Sequence, residues 1–560
     1  MSVAQATIEK ITRGAPELLQ AIEERTPQQI YATVAPEQVV AAAEYVINQL
    51  GGRFLITIGT DDRQARGDFC VSHIFSLDQE HLYVTLQIRL EPQQPQLQSI
   101  TGLIPGASWA ERETQDLLGI KFLDLNDPRR LILPDDWPEG IYPLRRDVPH
   151  DIRPEPASGS APPRREAPDG ATVMAIGPFF PVLEEPAYFR LFVDGETIVD
   201  SDYRGFYSHR GIEKLGDSAL TYKQVPFIAE RICGICGFIH SSCYCQAVET
   251  AIAIPAPPRA GYIRAIMLEL ERIHSHILWL GIAAHIVGFD TAFMQSWRMR
   301  EPIMWLCERI SGNRKTYGMN QVGGVRRDIP ADLHPDVLNV VATLEKEWTE
   351  LYRAIQDDTT LLMRLADVGP ITPDYARAMC VVGPTVRGSG LPRDTRVDHP
   401  YAAYADLPVN VITFDTCDVL ARTLVRIEEV LDSIKMIRAA LRDMPDGDIM
   451  AEIEEIPAGC EGISTVEAPR GEAIHYVLTG PNNQLLRWRV RAPTYPNLQA
   501  VPGMIRHQNI ADVPIAIGSL DPCFACTERM EVVDRNTGSV RTYTYQDMPK
   551  ICSLQDKAPD

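Results

Sequence analysis

Residues 231–240 read "RICGICGFIH" and residues 521–529 read "DPCFACTER", so two C-x-x-C pairs stand 287 residues apart, counted from Cys236 to Cys523. If the pairs share one site, both ends of a large body must meet, and all the chain between them must wrap around the meeting point. Four thiolates are strong soft ligands, which makes a metal the first chemistry to weigh. Structural zinc is one reading, but zinc pairs of this kind ordinarily close within about 15–20 residues. Soft thiolates also suit nickel and iron. Two sulfurs can bind one metal terminally while two bridge to a second, leaving open positions. Unconnected thiols are the remaining reading.

The other eight cysteines (Cys70, Cys243, Cys245, Cys307, Cys380, Cys417, Cys460 and Cys552) fall mostly in apolar or helical contexts and read as buried structural thiols. Twelve cysteines in 560 residues are too sparse for a disulfide-stapled secreted scaffold, so a reducing cytoplasm is expected. A net charge of −21 disfavours nucleic acid as a partner, because a phosphate backbone would be repelled. The opening residues lack the apolar core and cleavage site of a signal peptide. The most apolar stretch, "ILWLGIAAHIVGF" (277–289), is too short to span a bilayer and carries His285. A membrane would be reached through a partner.

The fold class expected is α+β, in two unequal parts. Residues 1–150 read as a small α+β domain. It has a helix within 35–52, opened by Pro36 and closed by Gly-Gly, and three β-rich runs forming a small antiparallel sheet. A further helix falls at 107–120. Residues 151–172 are a proline-rich linker. From 173 to 529 the chain becomes a large, mainly helical bundle with peripheral strands. Its long amphipathic segments lie at 257–288, 335–366 and 417–444. The last residues, 530–560, hold a possible hairpin around "DRNTGS" and end in polar sequence.

The two cysteine motifs resemble the nickel-binding motifs of [NiFe] hydrogenase large subunits. "WAERETQDLLGI" and "RRLILPDDWPEGIYPLRRD" are similar to the 30-kDa-type subunit of respiratory complex I. "FRLFVDGETIVDSDYRGFYSHRGIEKL", "GGVRRD" and "VGPTVRGSGLPRDTRVDHPYAAY" resemble the group shared by membrane-bound hydrogenases and the 49-kDa-type subunit. That fusion order, with all four cysteines kept, resembles group 4 membrane-bound [NiFe] hydrogenases of the formate hydrogenlyase (hydrogenase 3) and hydrogenase 4 type.

The resemblance implies a nickel–iron centre whose iron carries carbon monoxide and cyanide. Cys233 and Cys523 would be terminal nickel ligands, and Cys236 and Cys526 would bridge the two metals. His240, four residues after Cys236, would hydrogen-bond the bridging thiolate. Glu213 in "SHRGIEK" would pass protons between a thiolate, Cys523, and the interior. Arg470 in "EAPRGEAIHY" would sit over the open side of the metals, where a planar, fixed charge serves better than lysine. The "HSH" at 274–276 reads as part of a structural polar network, because i and i+2 do not share a helix face.

The implied activity is reversible heterolysis of dihydrogen, running mostly toward hydrogen, with formate, carbon monoxide or ferredoxin as the ultimate donor. No cysteine cluster is left for an iron–sulfur centre, so a small subunit carrying a [4Fe–4S] cluster is implied. Membrane subunits of a complex I-like assembly and a donor enzyme such as formate dehydrogenase are implied too. So are nickel-insertion chaperones and a maturation endopeptidase cutting after Arg529, which would make 530–560 a removable tail. The chain would sit on the cytoplasmic face of the membrane, with residues 1–150 as an assembly and docking module. The alternatives are a nickel-free complex I-type NADH/quinone oxidoreductase 30/49-kDa fused subunit and a zinc-stabilised scaffold.

Overall fold

The computed structural model describes residues 2–157, 164–177, 187–207 and 209–523, together with the backbone of 528–529, 531–533 and 540–542. The N-terminal part is built from α1 (Val3–Gly14), β1 (Gln20–Thr26), β2 (Gln29–Thr33), α2 (Val39–Leu50), β3 (Arg53–Asp62), β4 (Asp68–Leu77), β5 (Leu82–Leu90) and α3 (Ser108–Leu118). The expected three-run sheet is present as the antiparallel β3–β4–β5. Two further strands extend it to the order β1-β2-β5-β4-β3, with β2 parallel to β5.

This sheet is buried on both sides, for a reason that alternates along each strand. Phe69, Val71 and Phe75 of β4 and Val84, Leu86 and Ile88 of β5 form one core with residues of α1 and α2. Ile56, Ile58, Ile74 and Tyr83 point the other way and join the core of the main body. A bulge between Phe54 and Ile56 switches which residues of β3 face which core.

Beyond the proline-rich stretch, β6 (Thr172–Ile176), β7 (Tyr188–Asp194) and β8 (Thr197–Arg204) form an antiparallel sheet. There follow α4 (Ile212–Ser218), α5 (Gly237–Ala251), α6 (Pro258–Ile286), α7 (Asp290–Ser311), α8 (His334–Asp357) and α9 (Val419–Asp443). The 29-residue α6 is buried almost all round and packs against α7 and α9, as expected for the central helix of a bundle. The helix expected over 335–366 is two. α8 ends at Asp357, and Asp358 starts the next helix by accepting from the Leu361 N–H.

One expectation needs correcting. Strands β9 (Glu461–Ala468), β10 (Gly471–Thr479) and β11 (Leu485–Arg491) form an antiparallel sheet that is not peripheral: it lies between α5 and the N-terminal sheet. Several of its polar residues find their partners in the N-terminal part. Tyr83 Oη and Thr465 Oγ1 are 2.7 Å apart, Arg53 pairs with Glu472 at 2.9 Å and Arg25 with Glu461 at 2.5 Å, and Arg487 donates to the Gly59 carbonyl at 3.0 Å. No helix among the described residues is long and apolar enough to cross a membrane. The backbones of 531–533 and 540–542 pair antiparallel, as the hairpin reading expects; the turn between them lies outside the described residues.

Candidate metal centre

The chain folds so that the two cysteine motifs meet. Cys233 and Cys236 occupy the turn that enters α5, with Cys236 in the N-cap position. The first residue of α5 must be small, because a Cβ on Gly237 would come within 2.5 Å of the Tyr317 ring and 2.9 Å of the Glu230 carbonyl. Cys523 arrives from the other end of the body, its N–H donating to Thr494 Oγ1 at 3.1 Å. The Cys233 and Cys523 sulfurs are 3.4 Å apart, and no disulfide joins them.

Arg470 ties the two segments together. It lies in the turn between β9 and β10 and is 4% exposed. Its Nη1 donates to Cys236 Sγ at 3.1 Å and lies 3.9 Å from Cys233 Sγ. Its Nε donates to the Asp521 carbonyl at 2.5 Å and its Nη2 to Asp521 Oδ1 at 2.9 Å. The turn can hold this position because Gly383 and Gly471 let two backbones touch. A Cβ on Gly383 (φ +69°) would stand 2.4 Å from the Arg470 carbonyl oxygen, and one on Gly471 (φ +126°) 2.6 Å from the Gly383 nitrogen.

The donors fit a thiolate-bound metal. Two sulfurs at about 2.3 Å from one ion stand about 3.3 Å apart at a right angle and about 3.8 Å apart at the tetrahedral angle, which brackets the Cys233–Cys523 spacing. Among the described residues no group of three or more Cys, His, Asp or Glu side chains closes on a point by itself. The fourth sulfur of the expected set, Cys526, lies outside the described residues.

His240 is buried on the first turns of α5, and burial pushes its imidazole down to about 4. Its described side-chain partner is His475, with Nδ1 to Nε2 at 3.1 Å, and Trp488 Nε1 donates to the other ring nitrogen of His475 at 3.1 Å. The expected bond from His240 to Cys236 is not among its described contacts. Glu213, on α4, accepts from Arg487 at 2.8 Å, Arg489 at 2.9 Å and the Val490 N–H at 3.0 Å. Burial pushes its carboxyl up, but Arg489 and Arg487 outweigh this and hold it at about 2. Of the "HSH" triplet, His276 bonds Glu429 at 2.8 Å inside an ionic network with Arg387 and Arg272, which is the polar-network role expected. Arg529 is described only as backbone, paired in parallel with Tyr207.

Sequence reading missed Asp521, Thr494 and Glu271. Asp521 had a signal, standing two residues before Cys523. Glu271 on α6 had none: its carboxylate accepts from the Phe238 and Ile239 N–H groups at 3.1 and 2.9 Å and so caps α5 from another helix.

Three family models match the chain. The respiratory-chain NADH dehydrogenase 30 Kd subunit matches residues 32–153, the nickel-dependent hydrogenase model 210–284, and the respiratory-chain NADH dehydrogenase 49 Kd subunit 287–459 and 450–529. The protein is therefore of the class that nickel-dependent hydrogenases share with the 30- and 49-kDa subunits of complex I. Formate hydrogenlyase subunit 5 of Escherichia coli is 40% identical over 541 residues, which are 96% of this chain and 95% of that protein. Hydrogenase-4 component G of the same organism is 39% identical over 541 residues, 96% of this chain and 95% of that protein. The membrane-bound hydrogenase subunit alpha of Pyrococcus furiosus is 38% identical over 397 residues, 67% of this chain and 91% of that protein. The chain belongs to the group 4 membrane-bound [NiFe] hydrogenase large subunits, and membership implies a nickel–iron centre.

Proposed function

We propose that Cys233, Cys236, Cys523 and Cys526 hold the nickel–iron centre, and that this chain performs reversible dihydrogen heterolysis, H2 to two protons and two electrons, running mainly toward hydrogen. The observation that carries this reading is the approach of Cys233 and Cys523, 290 positions apart in the chain, to 3.4 Å beneath Arg470. A nickel–iron centre supplies the Lewis-acid and redox chemistry that forms or splits dihydrogen. The protein's own groups do the rest. Cys523 Sγ takes and returns a proton, and Glu213 exchanges that proton with the interior. Arg470, held by Asp521, keeps a fixed positive charge over the open side and excludes bulk water.

The electrons pass to or from a [4Fe–4S] cluster in a small subunit. In this reading the chain is peripheral on the cytoplasmic face of a complex I-like membrane assembly, with formate dehydrogenase or another low-potential donor at its far end. Residues 1–150, 151–172 and 173–529 are its N-terminal domain, linker and catalytic body. Residues 530–560 are a maturation tail removed after Arg529 once chaperones have delivered nickel.

The test is purification of the whole complex with metal analysis and infrared spectroscopy. One nickel per chain and iron in excess of it, as the partner's iron–sulfur clusters require, with bands of iron-bound carbon monoxide and cyanide that vanish in Cys523→Ser, are expected; stoichiometric zinc without those bands would refute the reading. Mass spectrometry of the active chain should end at Arg529, and an active chain extending to Asp560 would remove the tail from the scheme.

A further inference from the structure

Glu213 raises a difficulty. A carboxylate held at about 2 by two guanidiniums gives up protons readily but receives them poorly. The groups around it resolve this. Glu113, from α3 of the N-terminal part, accepts from Arg489 Nη1 at 2.6 Å and Nη2 at 2.7 Å, and the same Nη1 donates to Glu213 at 2.9 Å. Tyr495 Oη donates to Glu113 at 2.7 Å. One turn beyond Glu213 on α4, Asp217 lies 3.5 Å from the Arg487 Nη1 that also donates to Glu213.

Three carboxylates thus share two guanidiniums, and no side chain of the five is more than 10% exposed. Other charged groups face them at the Asp217 end. Lys214 Nζ donates to the Arg145 carbonyl at 2.8 Å and Arg146 to the Asp61 and Leu486 carbonyls, so both keep a positive charge beside Asp217, while Asp61 is paired with Arg63. His209 and Arg210 line the small cavity shared by Glu113 and Glu213, and Arg210 donates to the Arg231 and Ile232 carbonyls. Within the buried five, two guanidiniums face three carboxylates, and at Asp217 burial outweighs the pull of Arg487 and Arg146, so the low-dielectric interior favours a bound proton there.

The structure also marks where that proton resides. Asp217 Oδ1 is buried without a hydrogen-bond partner. Its side chain lines a cavity of about 170 Å3 together with Asp61, Arg146, Lys214 and Arg487. That volume has room for about five waters at ~30 Å3 each. Burial, the largest influence on Asp217, pushes it up to about 7 against the pull of Arg487. Glu113 is raised as well, by burial first and then by the neighbouring Glu213, against Arg489.

We propose that Glu113, Glu213 and Asp217, bridged by Arg487 and Arg489, form a reservoir that keeps one proton beside Glu213 and refills from water entering the cavity at Asp217. The proton that Glu213 delivers comes from the Asp217 carboxyl: the O–H bond there breaks, one forms at Glu213, and Asp217 is reprotonated by a hydronium ion in the cavity. The cluster titrates as a unit, so its proton affinity rather than that of Glu213 alone governs delivery. Asp217 touches neither metal nor substrate and is a positioning and relay group, and the N-terminal part contributes one of the three carboxylates. The inference rests on the proton role of Glu213 proposed above.

The experiment uses the purified complex carrying Glu213→Gln, Asp217→Asn, Asp217→Glu or Glu113→Gln, with nickel content checked in each. Infrared difference spectra across a pH titration should show a protonated carboxylic acid near neutral pH. That band should be lost in Asp217→Asn and restored in Asp217→Glu. Asp217→Asn should lower hydrogen evolution about 10- to 100-fold above pH 7 and move the alkaline limb of the pH profile to lower pH. Glu113→Gln, which leaves Arg489 free to hold the Glu213 anion, should move it the same way. If Glu213→Gln abolishes turnover while Asp217→Asn leaves both the band and the pH profile unchanged, the reservoir is overturned and the Glu213 reading stands. If Glu213→Gln keeps full turnover, the Glu213 reading and the delivery step fail together.

Discussion

Replacing Glu271 with leucine should loosen the metal centre without touching a ligand. α5 starts immediately after Cys236 and has no side-chain cap of its own; Glu271, 1% exposed on α6, satisfies its first free N–H groups at Phe238 and Ile239. Leucine fills similar space and strands both donors. At about 1–3 kcal/mol for each buried unpaired group, the turn carrying Cys236 loses about 2–6 kcal/mol of support. Changes to groups that orient a ligand cost about 10–100-fold in metal affinity, so nickel retention against a chelator should fall by that factor in Glu271→Leu. Glutamine should behave differently. Its one carbonyl oxygen can accept from either the Phe238 or the Ile239 N–H, while its NH2, a donor, leaves the other unpaired, so the support lost is about 1–3 kcal/mol. Glu271→Gln should therefore retain nickel at a level between the wild type and Glu271→Leu. The assay is nickel per chain in the purified complex after timed chelation. Equal retention in wild type and Glu271→Leu, or equal loss in both variants, would refute the capping argument.

Glu111, buried beside Ser99 and the Ile100 N–H, is raised by burial from 4.5 to about 7. The folded state therefore binds its proton more tightly than the unfolded state, and the stability this contributes is complete below 4.5 and lost as pH rises through 7. The loss is roughly 3 kcal/mol, so Glu111→Gln should flatten the fall of the denaturation midpoint between about pH 5 and 8, and an unchanged slope would count against it. Arg53→Met leaves Glu472 with one fewer cation in a buried pair and should destabilise by about 3–5 kcal/mol, and adding Glu472→Gln should recover part of that. Strict additivity in the double-mutant cycle would contradict the pairing. Gly383→Ala forces a methyl against the Arg470 carbonyl and should lower hydrogen evolution about 10- to 100-fold, whereas unaltered turnover would show that the backbone contact does not position Arg470.

How much of this was legible in the sequence follows from the range of each interaction. Pairs such as Cys233–Cys236 and long periodic segments such as α6 carry their signal locally, and Arg470 stood in a motif. β1 was missed because Gln20–Thr26 is largely exposed and polar, with none of the alternation that marks a half-buried strand. The central place of the β9–β11 sheet is not legible in the sequence because Glu461, Thr465, Glu467, Glu472, Arg487 and Arg489 are residue types that usually face solvent; all but Glu461 are buried. Several of their partners lie hundreds of residues earlier in the chain, where no periodicity can point to them. Glu271 was invisible for the same reason, since its target N–H groups lie 32 and 33 residues away on a different helix.

Those distant partners bear on what residues 1–150 do. An isolated docking module would meet the catalytic body through an exposed, separable face. Here the N-terminal part instead inserts Arg53 against Glu472 and Glu113 against Arg489, and it takes the side chain of Arg487 on the Gly59 carbonyl. Ile56, Ile58, Ile74 and Tyr83 of the same sheet lie in the core of the main body, so separation would expose apolar surface as well as break these pairs, and the two parts are expected to be less stable apart than together. The β9–β11 sheet that receives these contacts carries Arg470 in the turn between β9 and β10, next to the last strand pair, Ala468 with Gly471, and in contact with Cys236. A shift of the N-terminal part would displace the strands, and through their turn the guanidinium above the thiolates. The fusion of a 30-kDa-like segment to a hydrogenase body thus has a mechanical consequence: the position of the first domain is an input to the geometry of the metal site.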